Sequence, residues 1–299
     1  MEKLTSILVV VDREGQNRHA LAKAMVLARH FHAKIELFLC DSAHAYALSH
    51  SYDPRGARLA RDGCLAEARG FLQALRLGVG AEDVEIATHA ACESPLYEGI
   101  VQRVLDICPD LVIKAPTGEH PVRRFTLDAN DWQLMRTCPV PLMLTRGRPW
   151  QPQPQFAAAL DVTEQETAGL ARAILSTSEY LALGCHADLE ILYSERAAAP
   201  SPDVEARAAQ LRKLAHDSGV PPEHVRVLSG DPEDTLAGFA AARNYDVLII
   251  GALTHRKGPA ALVGTLTSRL VDALGCDFIL VKPGVYQCPL SRAAGAASG

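Results

Sequence analysis

The chain has 299 residues, a formal net charge of −5, and 48% apolar against 22% charged residues. That is enough for two domains of roughly 150 residues, each with its own core. The mild acidity and the lack of a basic block argue against a nucleic-acid binder, and no apolar run approaches the roughly 20 residues of a membrane span.

The predicted elements begin with "SILVVVD", a continuous β-branched run suited to a strand buried on both faces. "RHALAKAMVLARHF" has helical periodicity, and "KIELFLCD" is a second strand. A polar loop carrying His44 and His50 is expected next, then a long amphipathic helix, "RGARLARDGCLAEARGFLQALRL". "VEIATHA" is strand three, "SPLYEGIVQRVLDI" a helix, "DLVIKA" strand four, "DANDWQLMRT" a helix and "PLMLTR" strand five. Strands and helices alternate as in a parallel, doubly wound sheet.

The second half repeats the first. "FAAALDV" answers "ILVVVD", "ADLEILYS" answers "AKIELFLC", and "HVRVLSGDPEDTLAGFAAARNYDVLIIGA" answers "DVEIATHAACESPLYEGIVQRVLDICPDLVIKA". Pro95 matches Pro232, Asp110 matches Asp246, and Cys138 matches Cys276. A repeat this long is a duplicated domain. The expected domains are residues 1–147 and 156–283. A Pro-rich linker at 148–155 joins them, and a tail follows at 284–299.

The start "MEKLTS" runs straight into a strand, which points to a cytoplasmic protein without a signal peptide. The eight cysteines show no CxxC spacing and read as reduced small hydrophobes. His89 and Cys92 are three apart, but two ligands do not make a metal site. No Walker lysine, HExxH or serine elbow appears, so no catalytic residue is assigned.

Tandem copies of strand-Asp, Gly-x-Pro or its counterpart before a helix, and "DVLIIGA" leading to a loop that ends in Gly-Thr resemble the universal stress protein family. "NDWQLMRTCP" and "RPWQPQP" make the chain similar to its two-domain E-type members. The resemblance implies two Rossmann-like α/β domains. Each has a five-stranded parallel sheet in the order 3-2-1-4-5 with helices on both faces, and the two pack as a pseudo-two-fold pair with their strand-five edges adjacent. It also implies a ligand at the switch point between strands one and four, held by Gly-x2-Gly-x9-Gly-(Ser/Thr). Glycines there let backbone N–H groups approach phosphate at a helix N-terminus.

In the second repeat Gly251, Gly264 and Thr265 match that pattern, and Thr254 replaces the second glycine. Asp161 is the acid ending strand one, Ile250 precedes the loop, and Leu266 and Thr267 follow it. The implied ligand is ATP, with or without Mg²⁺, bound by a stress-response regulator. The plainer reading is a βα loop whose helix is N-capped by Thr265. Thr254→Gly tightens binding if the side chain crowds the phosphates, and weakens it if the hydroxyl has become a donor. In the first repeat the same positions are Ala115, Gly118, Asp128 and Ala129. A carboxylate stands where phosphate would sit, so no ATP is expected there. Lys114 is either a leftover strand-end group or a counter-ion for another ligand. Two alternatives stay open: a slow ATPase, and a carrier or sensor of a lipid-like molecule in the first domain, roofed by the loop and long helix after strand two.

Overall fold

The computed structural model describes residues 1, 3–13, 17–116, 118–120, 123–162, 169–196, 202–253 and 263–291. Two compact units emerge, one chiefly Leu4–Gly118 with Leu127–Val140, the other chiefly Pro141–Tyr286 with Glu119–Thr126.

The N-terminal unit runs β1 (Ser6–Val10), α1 (Asn17–Phe31), β2 (Lys34–Cys40), α2 (Ser42–Ser49), α3 (Pro54–Val79), β3 (Ile86–Ala91), α4 (Leu96–Ile107) and β4 (Leu111–Lys114). After a two-stranded hairpin, β5 (Gly118–His120) and β6 (Arg123–Thr126), comes α5 (Ala129–Thr137). β1 pairs in parallel with β2 (Ser6↔Lys34) and β4 (Ile7↔Leu111), and β2 with β3 (Ile35↔Ile86). The order is β3-β2-β1-β4. Ile7, Leu8, Val9, Val112 and Ile113 are wholly buried, as continuous apolar strands covered on both faces must be.

Residues 42–49 are helix α2, not the loop expected. The Asp41 carboxylate accepts from the His44 N–H at 3.1 Å and caps the first turn, and the alanines then sustain the helix. α3 begins where Asp53 accepts from the Arg55 N–H with Pro54 in the first turn, and it ends at Gly80, whose φ of +60° closes it. The hairpin was also unexpected. Its residues 119–126 belong to the C-terminal unit, within which β6 packs on the last helix.

The C-terminal unit runs β7 (Leu142–Leu144), β8 (Gln155–Ala159), α6 (Leu170–Gly184), β9 (Asp188–Glu195), α7 (Pro202–Asp217), β10 (Val225–Ser229), α8 (Pro232–Arg243), β11 (Val247–Gly251), α9 (Thr265–Ala273) and β12 (Asp277–Val281). Strands β10-β9-β8-β11-β12 are parallel, reproducing the order 3-2-1-4-5. The free side of β12 pairs antiparallel with β7 through Phe278↔Leu144 and Ile279↔Met143, so these two fifth strands do lie edge to edge. That pairing covers backbone groups that an edge strand would otherwise present to other chains.

The duplication persists in detail. Asp110 accepts from the Thr5 and Ser6 N–H groups at 2.7 and 3.0 Å, and Asp246 accepts from the Gln155 N–H at 2.9 Å. In each repeat the acid before strand four fastens the start of strand one. The segment before β8 is held down as well. Arg148 donates to the Tyr245 carbonyl at 2.7 Å, Trp150 Nε1 to Asp277 at 2.7 Å and Gln151 Nε2 to Asp246 at 3.1 Å.

Candidate functional site

At the carboxyl ends of β8, β9 and β11 lies a cavity of about 650 Å³. It sits at the crevice that an open parallel sheet creates where its strand order reverses. Asp161, Ile250, Gly251, Gly264, Thr265, Leu266 and Thr267 all line it, so residues from the end of strand one and from both sides of the loop converge. Thr254 lies outside the described residues. The loop that contains it is closed at its base by an antiparallel bridge between Leu253 and Val263.

The two glycines are there for different reasons. A Cβ on Gly251 would come 2.8 Å from Cδ2 of Leu170, so a larger residue there would require the Leu170 side chain on α6 to shift. Gly264 has φ −63° and ψ 144°, which any residue adopts, and it is the N-cap of α9 with no side-chain cap bond. The cap is therefore Gly264 and not Thr265, which begins the helix and is exposed. Thr267 turns inward instead, and its hydroxyl donates to the Gly251 carbonyl at 2.8 Å. That bond ties the first turn of α9 to the end of β11. A nine-residue helix thus aims its N-terminal N–H groups and dipole at the cavity, with no side-chain cap bond and no acid in its first turn among the described residues.

Other lining residues carried no motif. Leu170, Ile174, Leu236 and Leu270 form an apolar wall, and Tyr193, Glu195, Arg196 and Glu233 add polar groups. Tyr193 donates to Glu195 at 2.9 Å, as does Arg207 at 2.7 Å. Burial, then the bond to Glu195, pushes the Tyr193 hydroxyl up to about 12, so it remains a donor. Their place at the end of β9, beside the first strand of the repeat, was the only available signal.

The matching place in the N-terminal unit carries its own acids. Asp128 accepts from the Asp131 N–H at 2.7 Å while Asp131 accepts from the Asp128 N–H at 3.2 Å, forming a capping box on α5. Lys114, at the end of β4, donates to Asp131 at 2.7 Å, and their side chains are 4% and 0% exposed. Lys114 is thus the counter-ion of an internal acid and not of a ligand. Burial pushes the Asp131 carboxyl up, and the Lys114 ammonium opposes it.

Among the described residues no helix is long and apolar enough to cross a membrane. The universal stress protein family model matches residues 3–146 and 182–282. Universal stress protein E of Photorhabdus laumondii is 22% identical over 312 residues, covering 98% of this chain and 99% of its own. Universal stress protein E of Escherichia coli K12 is 23% identical over 314 residues, covering 97% and 98%. A solved structure of a functionally unknown protein from Pseudomonas aeruginosa PAO1 superposes with a TM-score of 0.72 at 23% identity, covering 94% of each chain. With two Rossmann-like sheets in tandem and relatives matched from end to end, the chain belongs to the universal stress protein family, in its two-domain E-type form.

Proposed function

We propose that the protein is a cytoplasmic stress-response regulator that binds adenine nucleotide in the C-terminal cavity, as ATP with or without Mg²⁺. The observation that carries this reading is the uncapped N-terminus of α9 at Gly264, facing a cavity that Asp161, Gly251 and Thr267 also line. A helix end whose cap is glycine leaves its N–H groups for an external anion, and phosphate oxygens are the natural partner. The apolar wall suits a base, and Asp161 suits ribose hydroxyls or a nucleotide-borne Mg²⁺.

Calorimetric titration of the whole protein with ATP at fixed salt and Mg²⁺ tests it. One site per chain is expected. Gly264→Val abolishes binding by placing a branched side chain at the helix end, whereas Asp128→Ala leaves it unchanged. Two equivalent sites, or binding indifferent to Gly264→Val, overturns the proposal.

A further inference from the structure

A second constellation lies in the N-terminal unit, away from any nucleotide loop. Asp41 leaves the end of β2 and caps α2, and His44 stands in the first turn of that helix. The His44 Nδ1 is 3.0 Å from both Asp41 carboxylate oxygens. Cys64, midway along α3, places its Sγ 3.1 Å from Asp41 Oδ2. Ligand atoms of these three residues all lie within 4.8 Å of one another. Cys64 is 6% exposed, and His44 opens to solvent.

We propose that Asp41, His44 and Cys64 form a zinc site that fastens α2 and α3 to the end of β2. The ligand set is one carboxylate, one imidazole and one thiol, the borderline-soft mixture that selects Zn²⁺ over Mg²⁺ or Ca²⁺, with a solvent water as the fourth ligand. Tetrahedral zinc with bonds of about 2.0–2.3 Å holds its ligands about 3.3–3.7 Å apart. The separations of 3.0–3.1 Å at Asp41 need only a small expansion. Binding is a proton exchange. Zn²⁺ enters, the Cys64 thiol that donates to Asp41 becomes a thiolate, and its proton leaves to solvent, with no change of oxidation state.

One group opposes the metal. The Arg13 guanidinium lies 3.6 Å from Asp41 Oδ2, but it also reaches Glu67 at 3.4 Å, to which it can withdraw.

The test uses the full chain, stripped of metal under reducing conditions and titrated with Co²⁺ and then Zn²⁺. Saturation at one Co²⁺ per chain is expected, with the visible bands of a tetrahedral ion and thiolate-to-cobalt charge transfer, all quenched by Zn²⁺. His44→Ala touches only an exposed side chain, so it preserves the fold. It should weaken binding by at least about tenfold, because even an outer-shell partner is worth that much. Cys64→Ser should abolish the charge-transfer band, and Cys108→Ser, at an exposed cysteine, should leave it alone. Arg13→Ala should tighten binding. The proposal is overturned if the wild-type chain gives no charge-transfer band, or if His44→Ala binds as tightly as wild type.

Discussion

The two repeats put opposite chemistry at the same point of the same fold. Where α5 begins, Asp128 and Asp131 satisfy the helix end from within, and Lys114 pairs with Asp131. Where α9 begins, Gly264 supplies no side chain, and a cavity stands in front of the N–H groups. A helix N-terminus always has orphan donors, and the chain meets them either with its own carboxylate or with whatever anion arrives. A duplicated domain thus changes the chemistry of one strand end without changing its topology, through a few side chains.

The largest break in this comparison is Asp131→Ala. It leaves the Lys114 ammonium buried without its partner and should cost about 3–5 kcal/mol. The pair Asp131→Ala with Lys114→Met should recover most of that, because an apolar pair of similar bulk is often neutral. Urea unfolding of the single and double variants decides. Equal losses in both would mean that packing, not charge pairing, matters there.

Asp128→Ala is the intermediate case. It removes the cap while keeping the ion pair and should cost about 1 kcal/mol. Thermal melting measures it, and a neutral result would show that α5 needs no capping from this side chain.

The smallest effect concerns matching glutamates, Glu36 in β2 and Glu190 in β9. Glu36 receives Arg103 through two bonds of 2.7 and 2.6 Å. Glu190 receives Arg226 at 2.9 and 2.6 Å, and the Tyr245 hydroxyl as well. Burial alone would raise Glu190, but the bonds from Tyr245 and Arg226 outweigh it and hold the carboxyl below the ordinary glutamate range. The stability this contributes is complete above the unfolded-state value and is lost as pH falls through the lower folded-state value. Glu190→Gln should therefore flatten the acid limb of a stability–pH curve below the ordinary glutamate range. An unchanged limb would place the acid sensitivity elsewhere.

What could be read beforehand was whatever depends on nearby residues. β-branched runs such as "ILVVV" and "DVLIIG" announce buried parallel strands, and the repeat supplies their order. The loop motif located most of the cavity because its residues flank one strand–helix junction. Contacts made by the fold were not legible. Nothing near Lys114 marks Asp131, 17 residues on, as its partner. The Tyr193–Glu195–Arg207 group becomes a group only once α7 crosses β9. The metal ligands show the limit most clearly. Close spacing suggested His89 with Cys92, but His89 sits within β3 and stacks on Phe38, its centroid 5.9 Å away. The proposed ligands Asp41, His44 and Cys64 instead meet from the end of β2, from α2 and from α3. An extended strand turns residues three apart to opposite faces. The α2 helix was missed because "DSAHAYALSHSYD" is rich in residues that serve equally in caps and turns.

The fastening of Arg148, Trp150 and Gln151 onto Asp246 and Asp277 separates two boundaries that a duplicated sequence invites one to merge. By ancestry the second copy begins at β8. By cohesion it begins at Pro141, since β7 zips to β12 and the Pro-rich segment acts as a strap, not a tether. Asp246 and Asp277 are 2% and 1% exposed, so a fragment cut at residue 156 would strand two interior carboxylates, each short of donors whose loss costs about 1–3 kcal/mol. The unit that was copied and the unit that holds together are different lengths of the same chain.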